Sequence, residues 1–192
     1  MSEIFEFLVK RRSASILVDP KPKREELEQI LNLAGTVPDH GQLRPYRFVV
    51  VEGEARARFG EALVDAADAH RPEKLEDRMK AKIAAKAFAA PLQILLVYSP
   101  VASDKIHAWE QMASASCTGY AAVLGAIALG YGAVWKSFAY DPGPLLQGLL
   151  SLTSEEKFLG WVNIGTEKDK ETQRAERERE PLDLRRYAQF LS

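Results

Sequence analysis

Apolar residues at helical spacing predict two helices in the first part of the chain. Four of them share one face of the first helix: Ile4, Phe5, Leu8 and Val9. This helix ends in the basic run 10–12. The second helix carries apolar residues at i, i+3, i+4 and i+7, and Gly35 supplies its C-terminal stop. Those four residues are Leu27, Ile30, Leu31 and Ala34.

Continuous apolar and β-branched runs predict four strands. Their ranges are 46–51, 91–98, 132–138 and 158–165. The charged, Ala-rich segments 55–70 and 74–88 predict surface helices, and a short helix at Leu145-Leu146 separates the last two strands. The irregular spacing of the strands, with no glycine-rich turn after the first, favours an α+β fold over a doubly wound one. We therefore expect a mixed or antiparallel sheet flanked by helices, as one domain over residues 1–192.

A long uncharged stretch raises the question of a membrane span. The 25 residues between Glu110 and Lys136 contain no charge, but they consist mostly of small residues with only scattered large apolar ones. A membrane span requires about 20 mostly large apolar residues, so no membrane association is expected. We predict instead a helix over 106–129, apolar on all sides, that is covered in the core or in an interface and runs into the strand at 132–138.

Composition and charge narrow the class of protein. The chain has 192 residues, 46% hydrophobic and 28% charged, which is typical of a globular domain. A formal charge of −1 argues against nucleic-acid binding. The single cysteine, Cys117, excludes an intrachain disulfide, and the N-terminus lacks the pattern of a signal peptide. We expect a cytoplasmic protein without a metal site.

Familiar catalytic motifs are absent from the sequence. It has no dinucleotide-binding G-x-G-x-x-G, no phosphate-binding P-loop and no zinc-binding H-E-x-x-H. Asp39, His40 and Cys117 offer an alternative, a cysteine hydrolase, because a thiolate nucleophile needs an activating base. A lone cysteine in an apolar helix of small residues is more often an inert core residue.

A basic motif near the N-terminus suggests anion binding. Arg11, Arg12 and Ser13 supply two guanidinium groups and a hydroxyl at one point of the chain, which suits a phosphate. Cations at a helix C-terminus also stabilise the helix by about 0.3–1 kcal/mol, so a purely structural role stays open.

Four separated segments together resemble the FMN-dependent nitroreductase family. They are Arg11-Arg12-Ser13, the loop and strand from Pro38-Asp39-His40 to Val50, the pair Trp109-Glu110-Gln111 and Gly132-Ala133-Val134-Trp135-Lys136, and Asn163-Ile164-Gly165-Thr166 followed by Arg177 to Leu182. The order and spacing of these segments carry the resemblance, which is greatest to the small single-domain NAD(P)H nitroreductases.

The resemblance implies an enzyme that uses NADH or NADPH and bound FMN to reduce small electron-poor acceptors, nitroaromatics or quinones, by a ping-pong mechanism. It also implies a homodimer with FMN at the subunit interface and a C-terminal segment that reaches the partner. The implied cofactor-binding residues are Arg11, Arg12, Ser13, His40, Gln42, Val134, Trp135, Lys136, Gly165, Arg177 and Arg179. Within this set, the arginines and Ser13 would hold the phosphate, and His40, Trp135 and Lys136 would lie beside the flavin.

The chain departs from the family pattern in the loop before the first long strand. Gly41 to Tyr46 replaces the more usual Asn-x-Gln-Pro-Trp, which puts the flavin contact of Gln42 in question. Two further functions stay open: another flavoenzyme chemistry on the same fold, such as reductive dehalogenation or flavin destruction, and a non-catalytic FMN-binding protein.

Overall fold

The structure, a computed structural model, describes residues 2–168 and 180–191. The helices in these ranges are α1 (Glu3–Lys10), α2 (Arg24–Ala34), α3 (Ala55–Ala69), α4 (Asp77–Ala84), α5 (Ala108–Ala128), α6 (Pro144–Leu150) and α7 (Leu184–Tyr187). The strands are β1 (Leu17–Val18), β2 (Tyr46–Glu52), β3 (Leu92–Tyr98), β4 (Gly132–Lys136) and β5 (Lys157–Glu167). Two short 3-10 turns lie at His40–Gln42 and Ala85–Phe88.

The five described strands form one sheet in which every pairing is antiparallel. β5 pairs with β3 and β4, β2 pairs with β3, and the two-residue β1 pairs with the end of β5. The predicted α+β class with an antiparallel sheet is confirmed. β5 is the central connection, since three of the other four strands pair with it.

Helices cover both faces of the sheet, and each face has its own apolar core. One core joins the sheet to α3, α4 and α6, with Phe59, Leu63 and Trp161 buried at its centre. The other joins the sheet to α2 and α5. Because successive residues of a strand point to opposite faces, the continuous apolar run of β3 supplies both cores at once.

Two helices differ from their predicted form. α3 was expected on the surface, but Phe59, Ala62, Leu63, Ala66 and Ala67 are buried against the sheet. Its many alanines weaken the apolar signal, although they allow close packing. The predicted helix over 74–88 is also shorter: α4 begins at Asp77 and gives way to a 3-10 turn at Ala85.

α5 is not buried on all sides within one chain, so the core alone does not cover the uncharged stretch. One side packs on α2 and the sheet, while four residues of one helical face are exposed: Trp109, Ala113, Cys117 and Tyr120. We call these four residues the α5 face. In the described residues, no helix has the length and apolar character needed to cross a bilayer.

Apolar side chains are also exposed at both ends of the chain. α1 buries none of its residues, and Ile4 and Val9 are 73% and 53% exposed. In the segment 180–191, Phe190 and Leu191 are 83% and 88% exposed. Such surfaces are typical of segments that pack on another molecule.

Candidate functional site

The N-terminal basic motif lies beside β4. The backbone N–H of Ala14 donates to the carbonyl of Ala133 at 3.1 Å, which fixes the preceding residues next to this strand. Gly132 in turn pairs with Gly165 on β5. Three of the sequence segments that predicted the site are therefore neighbours in the fold, although more than 100 residues separate the first from the others.

Arg11 is half-buried and lacks a counter-ion in the described residues. Its guanidinium lies 5.9 Å from the centre of the Tyr120 ring, a cation–π contact with α5. Its buried Nε has no hydrogen-bond partner. A buried donor without a partner costs free energy, so an anionic ligand at this point would complete the arrangement.

The two other residues of the motif differ from Arg11. Arg12 donates from Nη1 to the carbonyl of Val9 at 2.9 Å and to that of Arg11 at 3.0 Å, so it caps the C-terminal end of α1. Ser13 is exposed beside β4, where its hydroxyl is accessible to a ligand. Arg12 therefore has the structural role, stabilising the end of a helix, that the sequence left open.

β4 directs its predicted site residues to opposite faces of the sheet. Val134 is buried and packs with Ala14. Trp135 lies against α5, where a Cβ at Gly119 would be 3.0 Å from the indole, and its Nε1 donates to the carbonyl of Leu159 at 3.1 Å. Lys136 is exposed at the end of the strand.

The loop that carries His40 and Gln42 has an unusual backbone. Gly41, Gln42 and Arg44 adopt positive φ values of 72°, 53° and 49°. Residues other than glycine rarely adopt this backbone conformation. The backbone strain that it causes is concentrated at functional sites. The carboxylate of Asp39 accepts the Arg44 backbone N–H at 2.7 Å, which holds the loop in this form. A Cβ at Gly41 would lie 2.6 Å from Ile106, so only glycine fits there.

His40 is hydrogen-bonded to Glu110 in the first turn of α5. The Nδ1 of His40 is 3.0 Å from one carboxylate oxygen, and the other oxygen accepts the backbone N–H of His107 at 3.2 Å. The hydrogen bond from His40, followed by that from His107, lowers the pKa of Glu110 below its usual value. Glu110 is therefore an ionised acceptor for His40.

Most of the predicted site residues in the described ranges fall into two groups. The first, which we call the Arg11 cluster, contains Arg11 and Ser13 and the neighbouring residues Val134 and Gly165 of β4 and β5, with Lys136 further along β4. The second, the His40 cluster, contains His40 and Gln42, together with Glu110, which binds His40. Their contacts on α5, Tyr120 and Glu110, are ten residues apart, or about 15 Å along a helix. Arg177 and Arg179 lie outside the described residues, so their predicted role stays a prediction.

Two residues of the site were not predicted as such. Glu110 and Tyr120 hold His40 and Arg11 across sequence separations of 70 and 109 residues. The Trp-Glu-Gln segment at 109–111 was the available signal for Glu110, whereas nothing in the sequence singled out Tyr120.

The cysteine hydrolase alternative is not supported by the geometry. In the described part of the chain, His40 pairs with Glu110 and not with Cys117. Cys117 is exposed on the α5 face, so the expectation of an inert core cysteine is wrong as well. The fold places this residue on the side of α5 that no other described element covers.

A hollow of about 340 Å³ adjoins the His40 cluster. Gln42, Asp39 and Arg44 line it, together with residues 35–37. A larger hollow of about 630 Å³ lies between α6 and the start of β5, and none of the predicted site residues lines it.

Comparison with known proteins identifies the family. The model of the Nitroreductase family matches residues 8–166. A protein of Escherichia coli strain K12 named "Putative NAD(P)H nitroreductase YdjA" is 35% identical over 164 residues, which cover 85% of this chain and 88% of that protein. A "Putative NAD(P)H nitroreductase" of Haemophilus influenzae is 33% identical over 184 residues, 96% of this chain and 97% of the other.

Solved structures show the same fold. A nitroreductase-like family protein from Bacillus cereus superposes with a TM-score of 0.79 at 22% identity, covering 100% of this chain and 97% of the other. The FMN and NADPH-dependent nitroreductase NfnB of a Sphigopyxis strain gives a TM-score of 0.74 at 19% identity, with both chains covered completely. The chain belongs to the nitroreductase family, which confirms the prediction made from the four segments.

Proposed function

We propose that the protein is an FMN-dependent oxidoreductase that uses NADH or NADPH to reduce small electron-poor acceptors such as nitroaromatics and quinones. The observation that carries this proposal is the buried Nε of Arg11, which lacks a partner beside an exposed serine hydroxyl. This pair offers the charge and the donors that a phosphate monoester requires. The relatives that are named NAD(P)H nitroreductases support the same reaction class.

The residues present fit FMN at the Arg11 cluster. Arg11 and Ser13 would bind the phosphate, and Val134, Lys136 and Gly165 would form the adjoining wall from β4 and β5. Arg12 would help indirectly, since it holds the end of α1 next to Arg11. When bound, FMN supplies the hydride chemistry, and the protein binds it and shapes the pocket for the donor and the acceptor.

We further propose a homodimer formed through the α5 face, which contains Trp109, Ala113, Cys117 and Tyr120. A two-fold axis across this helix packs two copies of α5 antiparallel, so that the Glu110 end of one lies near the Tyr120 end of the other. The His40 cluster of one subunit then approaches the partner's Arg11 cluster. The exposed apolar residues of α1 and of segment 180–191 would cover the same interface, in agreement with a C-terminal segment that reaches the partner.

The reaction would proceed in two separate halves if one pocket serves both substrates. NAD(P)H would bind, deliver its hydride and leave before the acceptor enters. Steady-state measurements at several fixed acceptor concentrations should then give parallel double-reciprocal lines. Intersecting lines, with acceptor reduction that depends on bound nicotinamide, would contradict the shared pocket. The single free cysteine is consistent with a reducing compartment, and we place the reaction in the cytoplasm.

The same assay distinguishes the other functions of this fold. Turnover of a halogenated aromatic, or loss of the flavin itself, in preference to nitro or quinone substrates would indicate a different flavin chemistry. FMN that binds but is reduced by neither nicotinamide would indicate a non-catalytic protein.

A further inference from the structure

The pair of His40 and Glu110 has the geometry of a proton donor held by a carboxylate. The hydrogen bond of 3.0 Å joins Nδ1 of His40 to an ionised carboxylate, so the proton must lie on Nδ1. Nε2 is thereby the nitrogen that is left available to another molecule. In the described part of the chain, Nε2 has no hydrogen-bond partner, and the side chain is 63% exposed.

Backbone contacts fix both members of the pair. Glu110 is held by the His107 N–H at the start of α5. His40 belongs to a 3-10 turn, in which the N–H of Gln42 donates to the carbonyl of Asp39 at 3.0 Å. Three of the next four residues along the chain, Gly41, Gln42 and Arg44, have positive φ values. A loop that maintains such a conformation beside a histidine presets the position of its imidazole.

Glu110 is the charged group that contacts His40, and its other oxygen is bound by the His107 backbone. Asp39 and Arg44 belong to the same loop as His40. The Asp39 carboxylate is already engaged by the backbone of Arg44, whereas Glu110 binds the imidazole directly. Glu110 is therefore the group that sets the tautomer of His40.

We propose that His40 donates the proton that the acceptor takes up together with the hydride, and that Glu110 positions it. This inference rests on the proposed function, including the proposed dimer that brings the His40 cluster of one subunit to the Arg11 cluster of the other. A quinone accepts one hydride and one proton to become the hydroquinone. A nitroarene accepts the same pair while one N–O bond breaks, which yields a nitrosoarene and water. In both cases NAD(P)H supplies the hydride, and Nε2 of His40 supplies the proton and is reprotonated by solvent.

The test compares two acceptors with the flavin-loaded enzyme. After reduction by NAD(P)H, the enzyme is mixed with 1,4-benzoquinone, which takes up protons, or with ferricyanide, which accepts electrons alone. In His40→Gln, we expect reoxidation by benzoquinone to slow about 100-fold and to lose its dependence on pH. The loss toward benzoquinone should exceed any loss in NAD(P)H reduction or in ferricyanide reoxidation by at least about tenfold, since proton donation contributes to neither of these steps.

Glu110→Gln tests the positioning role with a readout that is independent of turnover. The ¹⁵N shifts of the imidazole should show the proton on Nδ1 in the wild type at high pH, and a shift toward Nε2 in the variant. His70→Gln is the matched control, because Nδ1 of His70 lies 2.8 Å from the backbone carbonyl of Ala66, on another part of the fold. This control should behave as the wild type in every assay.

The possible failures are distinguishable. A wild type that binds no FMN, or whose flavin neither nicotinamide reduces, contradicts the proposed function. A wild type that turns over normally, with His40→Gln slowed equally toward benzoquinone and ferricyanide or toward neither, overturns the role of His40. An unchanged tautomer in Glu110→Gln overturns the role of Glu110.

Discussion

At the residue scale, the decisive group is Arg11. Two other arginines pair with acids: Arg24 with Glu28 at 2.7 Å and Arg47 with Glu156 at 2.6 Å. Arg11 instead contacts an aromatic ring and retains a buried donor without a partner. That arrangement is unfavourable in the isolated chain, so it indicates that binding rather than stability accounts for this residue.

Replacing Arg11 by Ala should weaken binding of FMN far more than binding of riboflavin, which has no phosphate. Charge-assisted hydrogen bonds are worth about 1.5–3 kcal/mol, which corresponds to a loss of roughly 10-fold to 150-fold in affinity for FMN. Fluorescence titration of the apoprotein with each ligand measures the difference. Arg24→Ala serves as the control, and equal losses for both ligands in Arg11→Ala would show that Arg11 is structural.

Trp135 combines a site position with a role in the core. Trp135→Phe retains most of the contact with α5 but removes the hydrogen bond from Nε1 to Leu159. We expect the free energy of unfolding to fall by about 1 kcal/mol. FMN affinity should change less than threefold, because the lost hydrogen bond joins the indole to Leu159 and not to the Arg11 cluster. Urea denaturation together with the same titration checks both values, and a large loss of FMN affinity would place the indole against the cofactor.

Sequence reasoning at this scale identified the groups but not all of their partners. Arg11, Ser13 and His40 stand in short motifs that are visible in the chain. Tyr120 and Glu110 reach them only because α5 passes both segments, and no local pattern encodes that contact. The sequence could not decide whether Arg12 binds the phosphate or caps α1, since both roles require the same guanidinium group.

At the element scale, β2 and the start of β5 are joined by a bidentate ion pair. Arg47 donates from Nε and Nη2 to the two carboxylate oxygens of Glu156, at 2.6 and 2.7 Å. The Glu156 side chain is only 7% exposed. The hydrogen bonds from Arg47 lower the pKa of Glu156 from 4.5 to about 2, against the opposing effect of burial.

This ion pair predicts a pH-dependent stability. Because the pKa of Glu156 is lower in the folded state, its contribution is complete above about pH 5 and is lost as the pH falls toward 2. Glu156→Gln should lower the free energy of unfolding by roughly 2–4 kcal/mol at pH 7 and by about half as much at pH 3. Denaturant unfolding at pH 7 and at pH 3 measures the free energy of unfolding. Glu155→Gln, at the exposed neighbouring residue, is the control. A difference that is independent of pH would contradict the assignment.

The elements themselves were largely predictable, and the exceptions have physical reasons. β3 and β5 carry long apolar runs, so their existence and approximate bounds follow from the sequence. β1 and α7 are too short for any periodicity to show, at two and four residues. α5 was expected to be covered by the core or by an interface because it is nearly free of charge, and within one chain the α5 face is exposed.

At the scale of the whole molecule, apolar side chains remain exposed on several surfaces of the described residues. The α5 face, α1 and the segment 180–191 all expose apolar side chains, and the two clusters of site residues are separated along α5. A dimer would account for both observations, since it covers the surfaces and joins the clusters.

Ala113→Arg should disrupt this dimer. The position is exposed in the chain, so the substitution leaves the fold intact, but it introduces a long cation at the centre of the α5 face. We expect light scattering to show a dimer for the wild type and a monomer for the variant, with FMN affinity reduced at least tenfold. Ala57→Arg on the exposed side of α3 is the control. A flavin-loaded monomeric wild type would contradict the interface.

The central claim is that this member of the nitroreductase family is a flavoenzyme that accepts hydride from NAD(P)H. Its most direct test is the visible spectrum of the purified protein, supplemented with FMN, during anaerobic titration with NADH or NADPH. We predict about one non-covalent FMN per chain, bleached by one equivalent of nicotinamide and restored by a quinone after the nicotinamide is removed. A protein that binds no FMN when it is added, or a bound flavin that neither nicotinamide bleaches, would contradict the account.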